Sequence, residues 1–476
     1  MGAPMSSAAG AIGRSIRSLH RALRDGELSS TTLCEEVIAN HGRVGDGLQA
    51  YKTWAPERIG LAARAADAAF AAGADLGAFQ GLPVSVKDLY GVPGYPTFAG
   101  TPKALPEKWQ RPGPVVKSLG ASLAVITGKT HSVEFAFGGV GTNPHWPTPI
   151  NPWGAGEHHV PGGSSAGAGV SLVSGTAVLA LGSDTAGSVR CPASITGTVG
   201  VKTTYGRWSR DGIVPLSPSL DTAGILARTA QDAAIGFAAI DPLIAASPLE
   251  FASLAADCAA DEFSIAIADW FFDDCAGDIA DAVKAAIDEL GRAGARVGAI
   301  ELPEAPRAHD IFLHGGLAAP EFAAFITGEM ADWRKTLDPN VASRFARMEA
   351  VSAVEYLHRA RDLAELARAA HARFDDADLI VCPTVSISPP TVAAVAEADA
   401  YRQANLAILR NAAPVNLLGL CAVTIPVALD GAGLPVGLQI IAPGGEDERA
   451  IAAAAAFERV LGTARERLGV PPRCPD

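Results

Sequence analysis

A run of 24 consecutive residues without a charged side chain, residues 160–183, constrains this sequence more than any other feature. A run of that length is long enough to be a membrane span. Its residues, however, are rich in glycine and serine, which are too small and too polar for a helix that faces lipid. The run therefore predicts a helix that is buried inside protein and packed closely by small residues.

Composition and charge describe an apolar, acidic protein. Of the 476 residues 49% are hydrophobic and 19% are charged, which excludes a disordered chain because so much apolar surface can be buried. The net charge of −13, without a basic stripe, argues against nucleic acid or an anionic membrane as a partner. We expect a large core that holds a small-molecule site.

The seven cysteines are far apart and include no C-x-x-C pair, which argues against both a disulfide framework and a zinc site. His158 and His159 are adjacent on a loop and lack partners at the spacing of metal ligands. Residues 14–28 predict an amphipathic helix and lack the apolar core of a signal peptide. We therefore expect a cytoplasmic protein that needs no metal or other cofactor.

Strand and helix patterns divide the chain into four parts. Residues 1–80 predict helices, 81–229 a core of strands, helices and glycine-rich loops, 230–376 mainly helices, and 377–476 a return to strands. Residues 430–433 have the composition of a turn between two of the late strands. Strands at both ends of a helical middle predict one α/β domain over 1–476, with a sheet assembled from distant segments.

Three segments carry residues suited to nucleophilic catalysis. The first, 162–167, offers two serines in a glycine-rich loop at a helix start. The second, 182–190, presents Ser188 after a strand, and backbone N–H groups just before it are suited to hold the negative charge of an attacked carbonyl oxygen. The third is Lys87, near the end of a predicted strand at 84–88. Together they predict a serine nucleophile with a lysine nearby.

A serine hydroxyl is a weak nucleophile and needs a base. Lys87 can be that base only when it is neutral, so its pKa must fall from ~10.4 to ~7–8 through burial. A fall of ~3 pKa units corresponds to ~4 kcal/mol of lost ammonium solvation. The charge-poor core suits this change, and strand alternation places Asp88 on the opposite face, where it need not restore the charge of Lys87.

Residues 163–167 also fit G-x-S-x-G, the nucleophile elbow of α/β-hydrolases, with Ser165 as the nucleophile. That motif requires a strand immediately before it, and residues 151–161, with their glycines and prolines, do not predict one. Several later histidines could complete such a triad. The elbow is the weaker alternative because short patterns of this kind recur by chance.

The segments together resemble the amidase signature family of Ser-Ser-Lys hydrolases, and roughly three quarters of the chain follows its pattern. The resemblance rests on residues 81–87, 128–130, 134–135, 162–167, 184–190, 205–207, 215–222 and 435–439. It implies the amidase signature fold, a single large α/β/α domain whose central mixed β-sheet is covered by helices on both faces.

Position by position, the resemblance also implies a role for each site residue. Ser188 is the expected acyl-forming nucleophile, Ser164 the proton-relaying serine in a cis peptide, and Lys87 the base. The expected oxyanion hole consists of the N–H groups of Thr185, Ala186, Gly187 and Ser188. The residues expected to support these groups are Ser165, Asp184 and Arg190. The residues expected to bind substrate are Ala136, Phe137, Gly138 and Gly139.

The same resemblance implies an amide hydrolase that releases an acid plus ammonia or an amine, with a side activity on esters. Phe135, Phe137, Trp146 and Trp208 suggest an aryl or other apolar acyl group. A small-molecule amide is the expected partner, and a homodimer is a further expectation. Two alternatives stay open: the catalytic A-type subunit of a tRNA-dependent amidotransferase, and a non-catalytic binding protein on the same fold.

Ala186 departs from the family pattern, which usually has two glycines before the nucleophile. The N–H donor survives this change, so activity is expected. A backbone φ above zero would be costly for an alanine at this position. The shape of the predicted oxyanion hole therefore depends on the conformation of residue 186.

Overall fold

Eleven β-strands form one sheet in the computed structural model, which describes residues 10–348 and 351–475. The strands are β1 Tyr51–Trp54, β2 Pro83–Lys87, β3 Val125–Thr130, β4 Leu179–Asp184, β5 Val199–Lys202, β6 Thr222–Ala227, β7 Ser264–Ile267, β8 Arg296–Ala299, β9 Leu379–Pro383, β10 Cys421–Leu429 and β11 Pro435–Ala442. Their order across the sheet is β1-β3-β2-β4-β6-β5-β10-β11-β9-β7-β8.

The sheet is mixed. β3, β2 and β4 are parallel neighbours, and so are β9, β7 and β8, whereas the pairs between β4 and β9 are antiparallel. β10 and β11 form a hairpin whose turn closes with a hydrogen bond from the N–H of Gly433 to the carbonyl oxygen of Asp430, as the turn composition predicted. The expectation of one sheet assembled from distant segments is confirmed.

The described residues contain 18 α-helices. The helices are α1 Ile16–Arg24, α2 Ser30–Asn40, α3 Asp46–Leu48, α4 Pro56–Ala71, α5 Pro114–Ala121, α6 Ala168–Val173, α7 Arg190–Thr196, α8 Ala230–Ile240, α9 Pro248–Asp257, α10 Gly277–Arg292, α11 Glu304–Leu313, α12 Ala318–Glu329, α13 Pro339–Met348, α14 Ala353–Ala372, α15 Ala398–Leu409, α16 Ala413–Leu417, α17 Asp447–Leu461 and α18 Ala464–Leu468.

Helices cover both faces of the sheet, and the side chains of β9 show how. Leu379 and Val381 pack into a hydrophobic cluster with residues of α8, α10 and α17. Ile380 and Cys382, which alternate with them, pack into a second cluster with residues of α11, α14 and α16. Because successive side chains of a strand point to opposite faces, these two clusters lie on opposite sides of the sheet. The predicted α/β/α arrangement is confirmed.

The sequence prediction was wrong or incomplete in two regions. β7 and β8 lie inside 230–376, which predicted mainly helices, and they extend the sheet at one edge. The uncharged run 160–183 is buried as predicted, but only the six residues of α6 are helical; loop precedes them, and β4 begins within the run. Small residues in this run therefore allow close packing of loops as well as of a helix.

One helical run in the described residues, 304–329, is long and apolar enough to span a membrane by length and composition, with a mean hydropathy of 1.2. Helices in the core of water-soluble proteins meet the same criterion. Here the run is broken into α11 and α12 by Gly315 and Gly316, whose φ angles are +97° and +56°.

Candidate active site

Lys87 is the last residue of β2, in the centre of the parallel part of the sheet. Its side chain is fully buried. The Nζ atom donates hydrogen bonds to the Oγ of Ser164 over 2.7 Å and to the Oγ of Ser183 over 3.0 Å. β2 and β4 are parallel neighbours, so the ends that carry Lys87 and Ser183 meet at one edge. The fold thus joins two of the three predicted catalytic residues directly.

Burial lowers the pKa of Lys87 from 10.5 to about 7, because the ammonium loses its hydration. The negative charges of Asp184 and Asp221 oppose this shift and do not cancel it. Asp88, the next residue along the chain, forms a buried ion pair with Lys129 over 3.1 Å. Near neutral pH a substantial fraction of Lys87 is therefore an uncharged amine that can accept a proton.

Ser164 and Ser165 lie in the loop that leads to α6. The peptide bond between Gly163 and Ser164 is cis, as the family resemblance implied. The carbonyl oxygen of Ser188 accepts hydrogen bonds from the N–H of Ser165 over 3.3 Å and from its Oγ over 2.5 Å. Ser165 therefore links the two serine-bearing loops through the backbone of Ser188.

A buried ion pair shapes the loop that carries Ser188. The Asp184 carboxylate accepts hydrogen bonds from the N–H of Gly187 over 2.7 Å and of Val189 over 3.0 Å, and pairs with Arg190 over 3.0 Å. Arg190 also donates to Gln439 and Asn416. Burial alone would raise the pKa of Asp184, but the Arg190 guanidinium holds it well below its usual range. The charged carboxylate thus fixes the loop from residue 184 to residue 190.

This network corrects the predicted oxyanion hole at one position. The N–H of Gly187 donates to the Asp184 carboxylate and is therefore not free to bind a substrate oxygen. We therefore expect three of the four predicted N–H donors to serve the oxyanion, because the loop uses the Gly187 N–H to hold its own shape. The remaining candidates are the N–H groups of Thr185, Ala186 and Ser188.

The alanine at position 186 is tolerated because the positive φ of this loop belongs to its neighbour. Gly187 has a φ of +127°, whereas Ala186 is outside the positive-φ region. A Cβ on Gly187 would lie 2.6 Å from the Cβ of Ala412 and 2.8 Å from the Sγ of Cys191. The departure from the family pattern therefore falls at the position where a side chain can be accommodated.

Of the four predicted substrate-binding residues, Ala136 lies at a cavity of about 290 Å³ that also reaches Ser183 and Asp221. The Cζ of the Arg344 guanidinium lies over the Phe137 ring, 4.4 Å from the ring centre. Gly138 and Gly139 pack tightly against α15: a Cβ there would lie 2.5 Å from the Oη of Tyr401 and 2.6 Å from Leu409, respectively. The loop 136–139 is thus next to the site, and its two glycines serve packing.

The aromatic residues taken as a sign of an aryl substrate lie mostly elsewhere. Trp208 is buried against Phe237 and donates to Asp241, and Phe135 is buried against Phe322. Trp146 packs edge-on against Phe98, with the Lys52 ammonium 3.7 Å from its ring centre. These aromatic residues therefore do not identify the substrate. Trp208 and Phe135 pack in the core, and the ring of Trp146 contacts the Lys52 ammonium.

Sequence reasoning missed Ser183 and Asp221 as members of the site. Ser183 is hydrogen-bonded to Lys87, and Asp221 accepts a hydrogen bond from the Oγ1 of Thr185 over 2.5 Å. Both belong to segments that were recognised only as parts of a motif. In residues 10–348 and 351–475, no group of three or more His, Cys, Asp or Glu side chains is arranged to hold a metal ion.

Comparison with known proteins agrees with this geometry. A sequence model of the family named Amidase matches residues 32–451. The chain belongs to the amidase family. Within that family, a Ser-Ser-Lys triad is characteristic.

Two relatives of this amidase span its whole fold. A 2-amino-5-chloromuconic acid deaminase from Comamonas testosteroni is 49% identical over 94% of this chain and 96% of its own length. The A-type subunit of a glutamyl-tRNA(Gln) amidotransferase from Geobacter metallireducens is 30% identical over 96% of this chain and 99% of its own. A solved amidase structure, 26% identical, superimposes with a TM-score of 0.82 over 94% of this chain and all of that one. The protein is an enzyme that acts on amide C–N bonds.

Replacing Gly187 by alanine in this amidase is expected to destabilise the fold by about 2 kcal/mol or more, because the new Cβ meets buried atoms in a backbone region unfavourable to alanine. Activity should fall with it, since the same loop presents Ser188. Thermal unfolding and amide turnover measure the two effects. Ala186→Gly is the matched control and should change the unfolding free energy by less than about 1 kcal/mol; equal losses in both variants would contradict the assignment.

Proposed function

We propose that this amidase hydrolyses amides through an acyl-enzyme on Ser188, with Ser164 as the proton relay and Lys87 as the base. The observation that carries the proposal is the 2.7 Å contact between the buried Lys87 Nζ and the Ser164 Oγ. A lysine in that setting has the lowered pKa that general-base catalysis near neutral pH requires. The hydrogen bonds from Ser165 to the Ser188 carbonyl oxygen support the third member of the triad at the same place.

In the proposed reaction, neutral Lys87 takes a proton from the Ser164 hydroxyl, which takes one from Ser188. The Ser188 oxygen attacks the amide carbon, and the N–H groups of Thr185, Ala186 and Ser188 hold the oxyanion. As the C–N bond breaks, the proton returns through Ser164 to the leaving nitrogen. Water then attacks the ester, and its proton follows the same path, which releases the acid and restores Ser188.

The cavity beside the site, which reaches Ser183 but is not lined by Ser188, supports a compact acyl group that is at least partly apolar. Its volume of about 290 Å³ is at the small end of ligand-binding cavities, and its wall includes Leu89, Trp109 and Ile213 beside Ala136. The proposed products are a carboxylic acid and ammonia or an amine. An ester with the same acyl group is a second expected substrate, because an ester carbonyl develops the same oxyanion.

A second candidate substrate class comes from the relative that shares 49% of its residues with this chain over 94% of its length. Its name specifies an unsaturated dicarboxylic acid that carries an amino group, so C–N hydrolysis of such a compound is a candidate activity here. The relative that belongs to an amidotransferase keeps a third candidate open, in which a partner receives the ammonia. These candidates differ in what the purified chain alone can do.

The deciding experiment gives the purified chain, without tRNA or any other protein, a panel of amides and esters that vary in acyl length and ring content, together with 2-aminomuconic acid. We expect release of ammonia from several small amides, and covalent labelling of Ser188 alone by a fluorophosphonate. Strict dependence on tRNA and a second protein chain would favour the amidotransferase. Failure of both turnover and labelling would contradict the proposed acyl-enzyme on Ser188.

For the cell compartment and assembly we propose the cytoplasm and a homodimer. All seven cysteines are free thiols in the structure, which supports a reducing compartment. Light scattering of the purified chain tests the homodimer, and a mass near 48.7 kDa would contradict it.

A further inference from the structure

Asp221 lies at the end of the loop that leads into β6, beside the site but outside the predicted triad. Its Oδ1 accepts a hydrogen bond from the Oγ1 of Thr185 over 2.5 Å. Its Oδ2 accepts hydrogen bonds from the N–H groups of Leu216 and Ser217, each over 2.9 Å. The Asp221 carboxylate therefore connects Thr185, the first residue after β4, to residues 216 and 217 of the loop before β6.

The connection matters because Thr185 begins the loop whose N–H groups are the proposed oxyanion donors. Asp184 holds the rest of that loop through Gly187, Val189 and Arg190, and Asp221 holds Thr185. The loop at residues 216 and 217, which donates to Asp221, is also bound to α12, because the Ser217 hydroxyl donates a hydrogen bond to Glu321 over 2.7 Å. Two carboxylates thus fix the donor loop from its two ends.

The two carboxylates differ in how far their charge is balanced. Asp184 and Asp221 are the two negative groups that raise the pKa of Lys87 against the effect of burial. Asp184 forms a fully buried ion pair with Arg190, whereas Arg210 acts on Asp221 only through space. The charge of Asp88, another carboxylate near Lys87, is balanced by its ion pair with Lys129. Asp221 is therefore the less compensated negative charge beside the base.

We propose that Asp221 is a positioning residue with two separable actions: its hydrogen bond orients Thr185 for the oxyanion, and its charge favours the ammonium form of Lys87. This inference rests on the proposed function, in which Lys87 is the base. Asp221 lies in the wall of the cavity and contacts no reacting atom in the reaction described above.

Two isosteric variants separate the two actions. Asp221→Asn keeps both contacts, because its amide oxygen can face the N–H groups of residues 216 and 217 while its NH₂ donates to the Thr185 hydroxyl. This variant mainly removes the charge. Thr185→Val removes the hydroxyl that donates to Asp221. Because that hydrogen bond lowers the pKa of Asp221, this variant also weakens the Asp221 charge near neutral pH, but less than Asp221→Asn, which removes it at every pH. The shape of each side chain is nearly unchanged in both.

The readout is the pH dependence of kcat and kcat/KM, measured with an amide from pH 5 to 9. Asp221→Asn should shift the midpoint of the acidic limb downward by about one pH unit, because the ammonium of Lys87 loses a stabilising negative charge. Its plateau rate should stay within about threefold of the wild type. The two curves should differ less below pH 6, since the pKa of Asp221 is raised to about 6 by burial and its charge is then lost in the wild type as well.

Thr185→Val should lower kcat by about 10- to 100-fold with little change in KM, because it disturbs the donor loop, and should shift the midpoint downward by less than Asp221→Asn does. An unshifted midpoint in Asp221→Asn would overturn the proposed effect of the Asp221 charge on Lys87. A wild-type kcat in Thr185→Val would overturn the proposed orientation of Thr185. A midpoint shift in Thr185→Val as large as the shift in Asp221→Asn would overturn the separation of the two actions. Thermal unfolding of both proteins shows that they are folded.

The proposed function can fail independently of this inference. If Ser188→Ala kept the wild-type rate, the acyl-enzyme itself would be wrong, and the Asp221 variants would not bear on it. If Ser188→Ala were inactive and Asp221→Asn kept an unshifted profile, only the role of Asp221 would be rejected.

Discussion

Ser188→Ala is expected to lower kcat/KM for amides by about 10⁴-fold or more, because no other group can take the acyl moiety from the substrate. The remaining rate is that of water attack in a site that still binds substrate. The measurement compares purified wild type and variant under saturating and limiting substrate. Mass spectrometry of the intact protein after mixing with a slow substrate should show the acyl adduct in the wild type alone.

Ser165→Ala is the matched control for this experiment. Ser165 is also a buried serine, and its Oγ donates to the Ser188 carbonyl oxygen. Its loss should cost about 10- to 100-fold, since it removes a support and not the nucleophile. If Ser165→Ala were the inactive variant and Ser188→Ala kept more than about 1% of the activity, the nucleophile-elbow alternative would replace the present assignment.

The proposed catalytic residues could be singled out because each is tied to a local signal in the sequence. Lys87 ends an alternating strand pattern, and Ser164 and Ser188 sit in glycine-rich loops that few other folds would place 24 residues apart. The contact between Lys87 and Ser164 spans 77 positions, and no local pattern gives it. That pairing came from the family resemblance, and the structure places the two atoms within hydrogen-bond distance.

Features that depend on tertiary contacts were missed or misread. The four residues of β8 are all exposed, so this edge strand carries no buried alternation from which it could be recognised. Trp208 was read as a pocket residue because the sequence does not show that Asp241 and Phe237 lie against it. The sequence analysis includes the N–H of Gly187 among the oxyanion donors because the sequence does not show that the Asp184 carboxylate accepts a hydrogen bond from it.

Lys87→Met is expected to remove amide turnover and to make the protein more stable at neutral pH. A fall of the pKa of Lys87 from 10.5 to about 7 corresponds to roughly 5 kcal/mol of destabilisation of the buried ammonium. The lost hydrogen bonds to Ser164 and Ser183 offset about 1–2 kcal/mol, and these hydroxyls can turn to other acceptors. We therefore expect the free energy of unfolding to rise by about 3–4 kcal/mol.

The gain should depend on pH in a defined direction. Between pH 7 and 10.5 the folded wild type has a neutral Lys87 while the unfolded chain still binds that proton, so wild-type stability rises with pH across this window. The advantage of Lys87→Met is therefore full at and below about pH 7 and shrinks as the pH approaches 10.5. Denaturant unfolding of both proteins at several pH values between 6 and 9.5 measures it.

Lys202→Met is the matched control for Lys87→Met. It tests whether the loss of any buried lysine, and not only of Lys87, stabilises the protein. Lys202 is also buried, with its pKa lowered to about 8 by burial, but its Nζ donates to the carbonyl oxygens of Thr203 and Leu420, both over 2.8 Å. A methionine there leaves two buried carbonyl groups without these donors, so Lys202→Met should be destabilised. If Lys87→Met were instead less stable than the wild type at every pH, Lys87 would not be held as a strained, largely neutral amine, and the base of the proposed reaction would have to be sought elsewhere.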